Sequence, residues 1–328
     1  MATITLGVGS SHTPMLSMTA GSWERWGKRD AAKTDLVDLA GDPVSYDELV
    51  ARAAGRFDDE LTLDVYESKI KRCQLALDEL ARRIAEARLD AVIVVGDDQY
   101  EHFDAANMPS ILLYHGATIP NTKAEVPEGA PPEIAELTLG YYEPEADVDY
   151  PVDVALANHL VGHLLDHGFD LATSERLPKP RAEGHALQFP HRRLLGRDVP
   201  VVPILLNTYM PPSQPRAARC YQLGVALAAA VRDLPGDGRI GVLGSGGISH
   251  FVVMEDFDRP VLEAFANGDH AFLSSIPERQ LQSGTSETKN WIVTAGACAG
   301  LGFDLLDYVP GYRTPAGTGT GMAFATWS

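Results

Sequence analysis

An amphipathic segment that runs directly into an apolar run constrains the fold of this chain more than any other feature. Across residues 69–89, apolar side chains recur at spacings of three and four with charges between them, which predicts a helix with one buried face. Residues 91–95, which follow at once, are continuously apolar and stop at Gly96. Such a run is typical of a parallel strand that helices cover on both faces. The pair therefore indicates an α/β fold.

The same alternation of strands and helices recurs along the chain. Further strands are predicted at residues 3–8, 110–114, 169–174, 201–206 and 240–243, and further helices at 154–165 and 216–234. Strands that alternate with helices predict a mostly parallel, doubly wound central sheet flanked by helices. Because proline cannot donate a backbone hydrogen bond, Pro203 is expected to place its strand near an edge or a bulge.

Two stretches fall outside this alternation. Residues 20–66 show no sustained period and are predicted to be an insertion of loops and short helices after the first strand. Residues 120–150 are rich in Pro, Glu and Gly, which predicts a surface loop. We expect a single domain over residues 1–328, since one large α/β domain reaches this size.

Charge restricts the partners of the protein. With 45 acidic against 27 basic residues, the formal net charge is −18, and a surface this negative repels phosphate backbones and anionic lipids. The first residues do not resemble a leader peptide, and no stretch approaches the roughly 18 apolar residues of a spanning helix. We therefore expect a cytoplasmic protein that binds neither nucleic acid nor membrane. Its widely spaced cysteines are predicted to be core residues: Cys73, Cys220 and Cys298.

Chemically active residues follow several of the predicted strands. His12 comes just after the first strand, Asp98 follows the 91–95 run, and His250 ends the glycine-rich turn at 244–250. Ligands gather at the carboxyl ends of the strands in doubly wound sheets, so we expect these side chains to lie together. A lone histidine in such a place more often packs or caps than reacts. The presence of three such side chains after predicted strands is what favours a functional site.

Two more candidates lie outside those strand ends. His185 stands in the loop EGHALQFPH, which has no evident structural need for it. Glu287 is predicted to lie in the first turn of a helix, with Thr285 or Ser286 as the N-cap. A carboxylate at that position is also favoured by the helix dipole alone.

Several long segments resemble one family. They are GVGSSHTPML, VIVVGDDQYEHF, EGHALQFP, LNTYMPPSQPRAARCYQLG, GSGGISH and SGTSETKNWIVTAGA, in family order and spread over most of the chain. They resemble the class III extradiol ring-cleavage dioxygenase superfamily, in particular the catalytic subunits of protocatechuate 4,5-dioxygenase and gallate dioxygenase. The resemblance implies a non-haem iron(II) enzyme that opens a catechol- or gallate-type ring with O₂, with manganese or zinc as other candidate metals.

The resemblance also implies roles for individual residues. His12 and Glu287 match two metal ligands of the family, and the second ligand position falls on Gln99. His250 matches the acid/base that handles a substrate hydroxyl proton, which suits an imidazole. His185 matches a second histidine near the substrate and O₂.

Gln99 departs from the family pattern, which has histidine there. An amide oxygen is a poorer donor to iron than an imidazole, so weaker metal retention is expected. Asp98, Glu101 or His102 could supply the ligand instead, and either carboxylate would make the site harder and closer to a Mg²⁺ or Mn²⁺ site. This substitution motivates an alternative function, a non-redox metal-dependent hydrolase or lyase on the same scaffold. A binding protein that has lost activity is a further alternative.

The expected partners are a small aromatic diol and O₂. The sequence leaves open whether the protein forms a homo-oligomer. The insertion at 20–66 could cover the active site, in place of a small partner subunit that some relatives use, or form a dimer contact. The candidates for binding a substrate carboxylate are four arginines: Arg181, Arg192, Arg216 and Arg313.

Overall fold

The strands and helices alternate over most of the protein. The computed structural model describes residues 1–178 and 182–328. The strands of this part are Thr3–Ser10 (β1), Ala91–Asp97 (β2), Ile111–Tyr114 (β3), Thr118–Asn121 (β4), Val148–Pro151 (β5), Ala172–Ser174 (β6), Val201–Leu206 (β7), Arg239–Ser245 (β8), Phe303–Tyr312 (β9) and Gly319–Trp327 (β10). The α-helices are Ala20–Gly27 (α1), Tyr46–Ala53 (α2), Leu63–Ala87 (α3), Pro132–Tyr141 (α4), Val154–Asp166 (α5), His185–Pro190 (α6), Ala217–Asp233 (α7), Glu255–Asn267 (α8), His270–Ser275 (α9) and Thr288–Ala297 (α10).

A central sheet of eight strands has the order β6-β3-β7-β2-β8-β1-β10-β9. The four middle strands β7, β2, β8 and β1 are mutually parallel. Strand β3 pairs antiparallel with β7, and the β9–β10 hairpin pairs antiparallel with β1. The predicted α/β fold with a large central sheet is confirmed. The sheet is mixed, however, because only its middle and the β3–β6 pair are parallel.

Helices cover both faces of the sheet. Along β2, Val92 and Val94 pack on the side of α3, whereas Ile93 and Val95 pack on the side of α5, α7 and α10. This alternation explains the continuous apolar run, since every residue of β2 is buried. The predicted cysteine burial is also correct, and all three thiols are free. Among the described residues, no helix has the length and apolar character needed to cross a bilayer.

Two local predictions were wrong. The strand that contains Pro203 is internal, between β2 and β3, and not at an edge. The sheet tolerates this proline because the pairing of β7 with β3 covers only its last residues, from Ile204 to Leu206. Residues 120–150 are not a plain surface loop, since they hold α4, β5 and the end of β4. Pro132 suits the first turn of α4, where no backbone donor is needed.

The segment before α3 folds into short helices, α1 and α2, with 3₁₀ turns at Asp30–Ala32 and Asp58–Glu60. Helix α1 packs on α3 and α4. The carboxyl group of buried Glu133 on α4 lies 3.0 Å from Arg25 and 3.3 Å from Arg29. These contacts fix the segment over the carboxyl ends of the central strands.

Candidate functional site

His12 lies just past the end of β1 and is buried. Its Nδ1 is 2.8 Å from the hydroxyl of Ser245, at the end of neighbouring strand β8. The hydroxyl of Tyr141 on α4 donates to the His12 carbonyl oxygen. With Nδ1 engaged, Nε2 is left 3.2 Å from a carboxylate oxygen of Glu287. The ring is therefore fixed with one nitrogen turned toward that carboxylate.

Glu287 ends the 3₁₀ turn Ser283–Glu287 and immediately precedes α10. It therefore lies just before the α-helix, and the predicted place in its first turn was wrong. The backbone N–H of Gly247 donates to Oε2 at 2.9 Å, and His250 Nε2 lies 2.8 Å from Oε1. A Cβ at Gly246 would come within 2.8 Å of the Glu287 Cβ. The glycine is thus needed for the close approach of the β8 turn to this carboxylate.

Asp97, the last residue of β2, joins this group and was missed by the sequence analysis, which singled out Asp98. Its side chain is fully buried. One oxygen accepts from the Gln99 amide at 3.1 Å, and the other from Asn290 of α10 at 3.3 Å. A carboxyl group at the end of a buried strand must find polar partners, but the sequence does not show that Asn290 is one of them.

His185 begins α6 and is held by Glu101. The backbone N–H of His185 donates to one carboxylate oxygen of Glu101 at 2.9 Å, and Nδ1 lies 2.8 Å from the other. Nε2 is 3.8 Å from Asp97. The rings of His185 and His12 meet edge to face, with their centroids 4.6 Å apart. Both imidazoles thus turn one free nitrogen toward the same carboxylates.

The four residues considered for the second metal-ligand position differ in their hydrogen bonds and in whether they line the cavity. The Gln99 amide nitrogen donates to Asp97 and to Glu287, at 3.1 Å each. Asp98 instead accepts the backbone N–H groups of His102 and Phe103, which closes the loop after β2. Gln99 and Glu101 line the cavity described below, whereas Asp98 and His102 are not part of its lining.

One donor atom from each of four residues lies within 4.8 Å of the others: His12, Asp97, His185 and Glu287. Two imidazoles and two carboxylates at this separation could hold a divalent cation. Burial opposes the ionisation of Glu287, but His250 and His12 outweigh it and hold the pKa of that carboxyl well below its usual range. Burial, together with the charge of Glu287, raises the pKa of Asp97 to about 6.

Glu101 and His185 shift each other's pKa. Burial lowers the pKa of His185, but the Glu101 carboxylate outweighs it and the pKa rises to about 10. Burial correspondingly raises the pKa of Glu101, and His185 reverses this, so that the pKa falls to about 2. Asp97, Glu101 and Glu287 place three carboxyl groups in a small volume, and a cation beside them relieves their repulsion.

A cavity of about 560 Å³ opens above these side chains. Its lining includes His12, Gln99, Glu101, His185, His250 and Glu287, whereas Asp97 lies behind them. The wall formed by the first 66 residues carries Trp26, Arg29, Asp30 and Lys33, and α4 adds Tyr141. The segment that was predicted to be an insertion therefore reaches the candidate site.

Of the four arginines considered for carboxylate binding, Arg313 lines the cavity. Arg192 and Arg216 pair elsewhere, at 3.7 Å from Glu143 and 3.5 Å from Glu278. Arg181 lies outside the described residues. Arg313 is itself fully engaged by Asp30, whose two carboxylate oxygens lie 2.7 and 3.2 Å from its guanidinium nitrogens.

These features define an α/β protein with the donor set of a metal site at the carboxyl ends of its parallel strands. In comparison with known families, residues 59–322 match the family described as the catalytic LigB subunit of aromatic ring-opening dioxygenase. The chain belongs to this family, as its motifs indicated.

Curated relatives are similar over part of their length. A 2,3-dihydroxyphenylpropionate/2,3-dihydroxicinnamic acid 1,2-dioxygenase of Comamonas testosteroni is 28% identical over 59% of this chain and 50% of its own. The enzyme of the same name from Klebsiella pneumoniae is 31% identical over 54% and 51%. A gallate dioxygenase of Pseudomonas putida is 32% identical over 34% and 33%. The matches thus span about half the length of the first two relatives.

Among solved structures, an uncharacterized protein from Escherichia coli K12 shares 15% identity with this chain. The match has a TM-score of 0.42 and covers 77% of this chain and 92% of that one.

Proposed function

We propose that this protein is an extradiol dioxygenase that opens the ring of a dihydroxylated aromatic compound with O₂, using one iron(II) ion. The observation that carries the proposal is the convergence of two imidazoles and two carboxylates next to a cavity large enough for such a substrate. Membership in the ring-opening family supports it. The names of the relatives also support it, because these enzymes act on dihydroxylated or trihydroxylated aromatic acids.

The donor set fits such an ion. Each imidazole has one nitrogen tied to a partner, Ser245 for His12 and Glu101 for His185, which is the usual arrangement around a metal-binding histidine. His12, His185 and Glu287 would hold the ion, with Asp97 as a further carboxylate beside them. Iron(II) held there would bind the diol and O₂ and would pass electrons from the ring to O₂.

Gln99 is placed beside these ligands. Its amide nitrogen donates to both carboxylates, which supports a role in holding Asp97 and Glu287 together. The competing assignment, from the family pattern, makes Gln99 itself the second ligand. The two assignments differ in what a histidine at residue 99 would do to metal binding.

His250 is the proposed acid/base. It lines the cavity, and its Nε2 lies 2.8 Å from Glu287. If Glu287 turned to a bound ion, Nε2 would lose this partner and could then accept the proton of a substrate hydroxyl beside it. Thr285 fixes the backbone of His250 through bonds to its N–H and its carbonyl, at 3.1 and 3.0 Å. The ring is thus held at a defined place in the cavity wall.

The activity is tested by O₂ uptake. Protein reconstituted anaerobically with Fe(II) should consume O₂ with at least one member of a panel of catechols, and the product should absorb as a ring-opened compound. His250→Ala should slow this turnover by about 100-fold or more, as expected for loss of a general acid/base. Absence of O₂ uptake with every catechol would remove the proposal.

Metal content gives a second, independent prediction. We expect iron close to one per chain in anaerobically purified protein and loss of most of it in His12→Ala, because that change removes a ligand. His159→Ala is the matched control, since His159 hydrogen-bonds to Ala230 on α7, away from the cavity. Tighter iron binding by Gln99→His than by the wild type would favour residue 99 as the ligand position. Unchanged or weaker binding would favour His185.

One observation favours a second candidate function, a metal-dependent hydrolase or lyase. Two carboxylates among the donors make the site harder than the family pattern and more suited to manganese or magnesium. Turnover without O₂ would distinguish this reaction from ring cleavage, and purified protein would then contain a metal other than iron.

A further inference from the structure

Among the residues that the structure describes, three cationic side chains line the cavity, and two of them are already matched by carboxylates. They are Arg29, Lys33 and Arg313. Arg313 is buried and bound by both oxygens of Asp30. Arg29 lies 3.3 Å from the buried carboxylate of Glu133, and its guanidinium group stacks 4.9 Å above Trp26. Neither needs a further counter-charge.

Lys33 differs from the other two cations. Its ion pair is with the half-exposed carboxylate of Asp35, at 3.8 Å, which is longer than a hydrogen bond. The ammonium group instead lies 3.3 Å from the ring centroid of Phe251. A cation–π contact engages one side of an ammonium group, so N–H donors on the other side stay free. Burial lowers the pKa of Lys33 from its ordinary value, although the carboxylates of Asp35 and Asp30 oppose the change, as expected for a partly desolvated ammonium group.

The position of Lys33 relative to the reacting groups is set by Phe251. This ring directly follows His250 in the chain, and both residues line the cavity. Lys33 follows the 3₁₀ turn Asp30–Ala32, and it lines the cavity where the segment before α3 meets the Phe251 ring. A diol held by its two oxygens beside Glu287 and His250 must direct the rest of its ring into the cavity. A substituent on the far side of that ring would approach the wall that carries Lys33.

We propose that Lys33 binds the carboxylate of the substrate, which makes this protein selective for dihydroxylated aromatic acids over neutral catechols. The inference rests on the proposed function for the placement of the diol. It assigns substrate selection to a residue outside the family match, which begins at residue 59. A carboxylate there would accept charge-assisted hydrogen bonds from the ammonium group. It would also supply the close counter-charge that Asp35 does not.

The test is a binding measurement without O₂, so that binding and turnover are separated. Protein reconstituted anaerobically with Fe(II) would be titrated calorimetrically with 3,4-dihydroxybenzoate and with catechol, which differ by the carboxylate alone. We expect Lys33→Gln to weaken the binding of 3,4-dihydroxybenzoate by about 10-fold or more, as for loss of a hydrogen bond to a charged group. Binding of catechol should change less than about twofold. Lys33→Arg, which keeps the charge, should retain part of the selectivity.

Lys28→Gln is the matched control. Lys28 lies five residues earlier in the same segment, is largely exposed and pairs with Glu24 at 3.4 Å, so both affinities should remain at the wild-type value. Thermal unfolding of each variant would show that the fold is kept. Equal weakening of both ligands in Lys33→Gln would indicate a structural role and overturn the proposal. So would equal affinity of the wild type for the two compounds, or binding of neither.

The two proposals fail in different ways. Lys33-dependent binding of the acid without any O₂ uptake would leave the carboxylate site in place and refute the dioxygenase. Ring cleavage whose KM for the acid is unaffected by Lys33→Gln would refute the carboxylate site and leave the dioxygenase in place.

Discussion

Each of the two imidazoles at the proposed metal site is oriented by a partner at its other ring nitrogen. Ser245 does this for His12 and Glu101 for His185. The Glu101 contact is the stronger constraint, because the carboxylate also accepts the backbone N–H of His185. A histidine that is fixed in this way needs no rearrangement to bind an ion. His185 is therefore suited to supply the imidazole that residue 99 lacks.

Glu101→Gln tests this arrangement at a single residue. The amide keeps one acceptor but loses the charge that orients His185 and raises its basicity. We expect the affinity for Fe(II) or Mn(II) to fall about 10-fold or more, as for other partners of metal-binding histidines. Competition with a chelator would measure it, and exposed Glu128→Gln serves as the control. An affinity equal to that of the wild type would show that His185 does not bind the ion.

At the residue scale, the sequence analysis relied on strand ends and family motifs. His12, His250 and Glu287 were singled out, and the structure brings all three together. Asp97 was not singled out, because in the sequence it is simply the last residue of an apolar strand. Its place depends on hydrogen bonds from Gln99 and Asn290, and the latter is a contact between residues 193 positions apart. Local pattern does not contain that information.

Among the elements, α8 is joined to the site by one buried carboxyl group. Asp258 accepts a hydrogen bond from Ser249, the residue before His250, at 2.8 Å, and one from Tyr308 of β9 at 2.6 Å. Burial raises the pKa of Asp258 from 3.8 to about 7, although both hydrogen bonds oppose the change. The folded state therefore binds this proton more tightly than the unfolded chain does.

The sign of the pH effect follows from that difference. Below about pH 4 the group is protonated in both states, and between about pH 4 and 7 the unfolded chain alone loses the proton, so stability falls as the pH rises. Asp258→Asn cannot ionise and should gain on the wild type by about 1.4 kcal/mol per pH unit in this window. Urea unfolding at pH 5, 6 and 7 would measure it, with exposed Asp256→Asn as the control. Parallel curves for wild type and Asp258→Asn would contradict the expectation.

The elements that the sequence missed depend on distant partners. Helix α4 lies in a stretch whose Pro and Gly content predicted a loop, and its buried Glu133 is satisfied by Arg25 of α1 and by Arg29, which follows α1. The internal strand that contains Pro203 is accommodated by the short pairing of β3. By contrast, β2 and α3 were predictable, because the apolar pattern of a long segment indicates which of its residues are buried.

At the scale of the whole molecule, the segment that follows β1 and the β9–β10 hairpin meet at the cavity. Strand β1 lies between β8 and β10, which brings the β9–β10 hairpin beside the segment that follows β1. Asp30 of that segment binds Arg313, which follows β9. Asp30 also accepts a hydrogen bond from the Thr318 hydroxyl at 2.6 Å. Both members of the ion pair line the cavity. The wall that carries Lys33 is therefore fastened to the C-terminal hairpin.

Removal of one member of this pair should loosen that connection. Asp30→Asn keeps the shape but leaves the Arg313 guanidinium, with 3% of its side chain exposed, without a counter-charge. Breaking a buried ion pair in this way costs about 3 kcal/mol or more, because a desolvated charge is left uncompensated. Glu24→Gln, which breaks the exposed pair with Lys28 in the same segment, should cost less than about 1 kcal/mol. Chemical unfolding of the two variants compares these costs directly. A similar small loss in both would mean that water or a neighbouring group compensates Arg313, and that the N-terminal wall is held chiefly by the packing of α1 on α3 and α4.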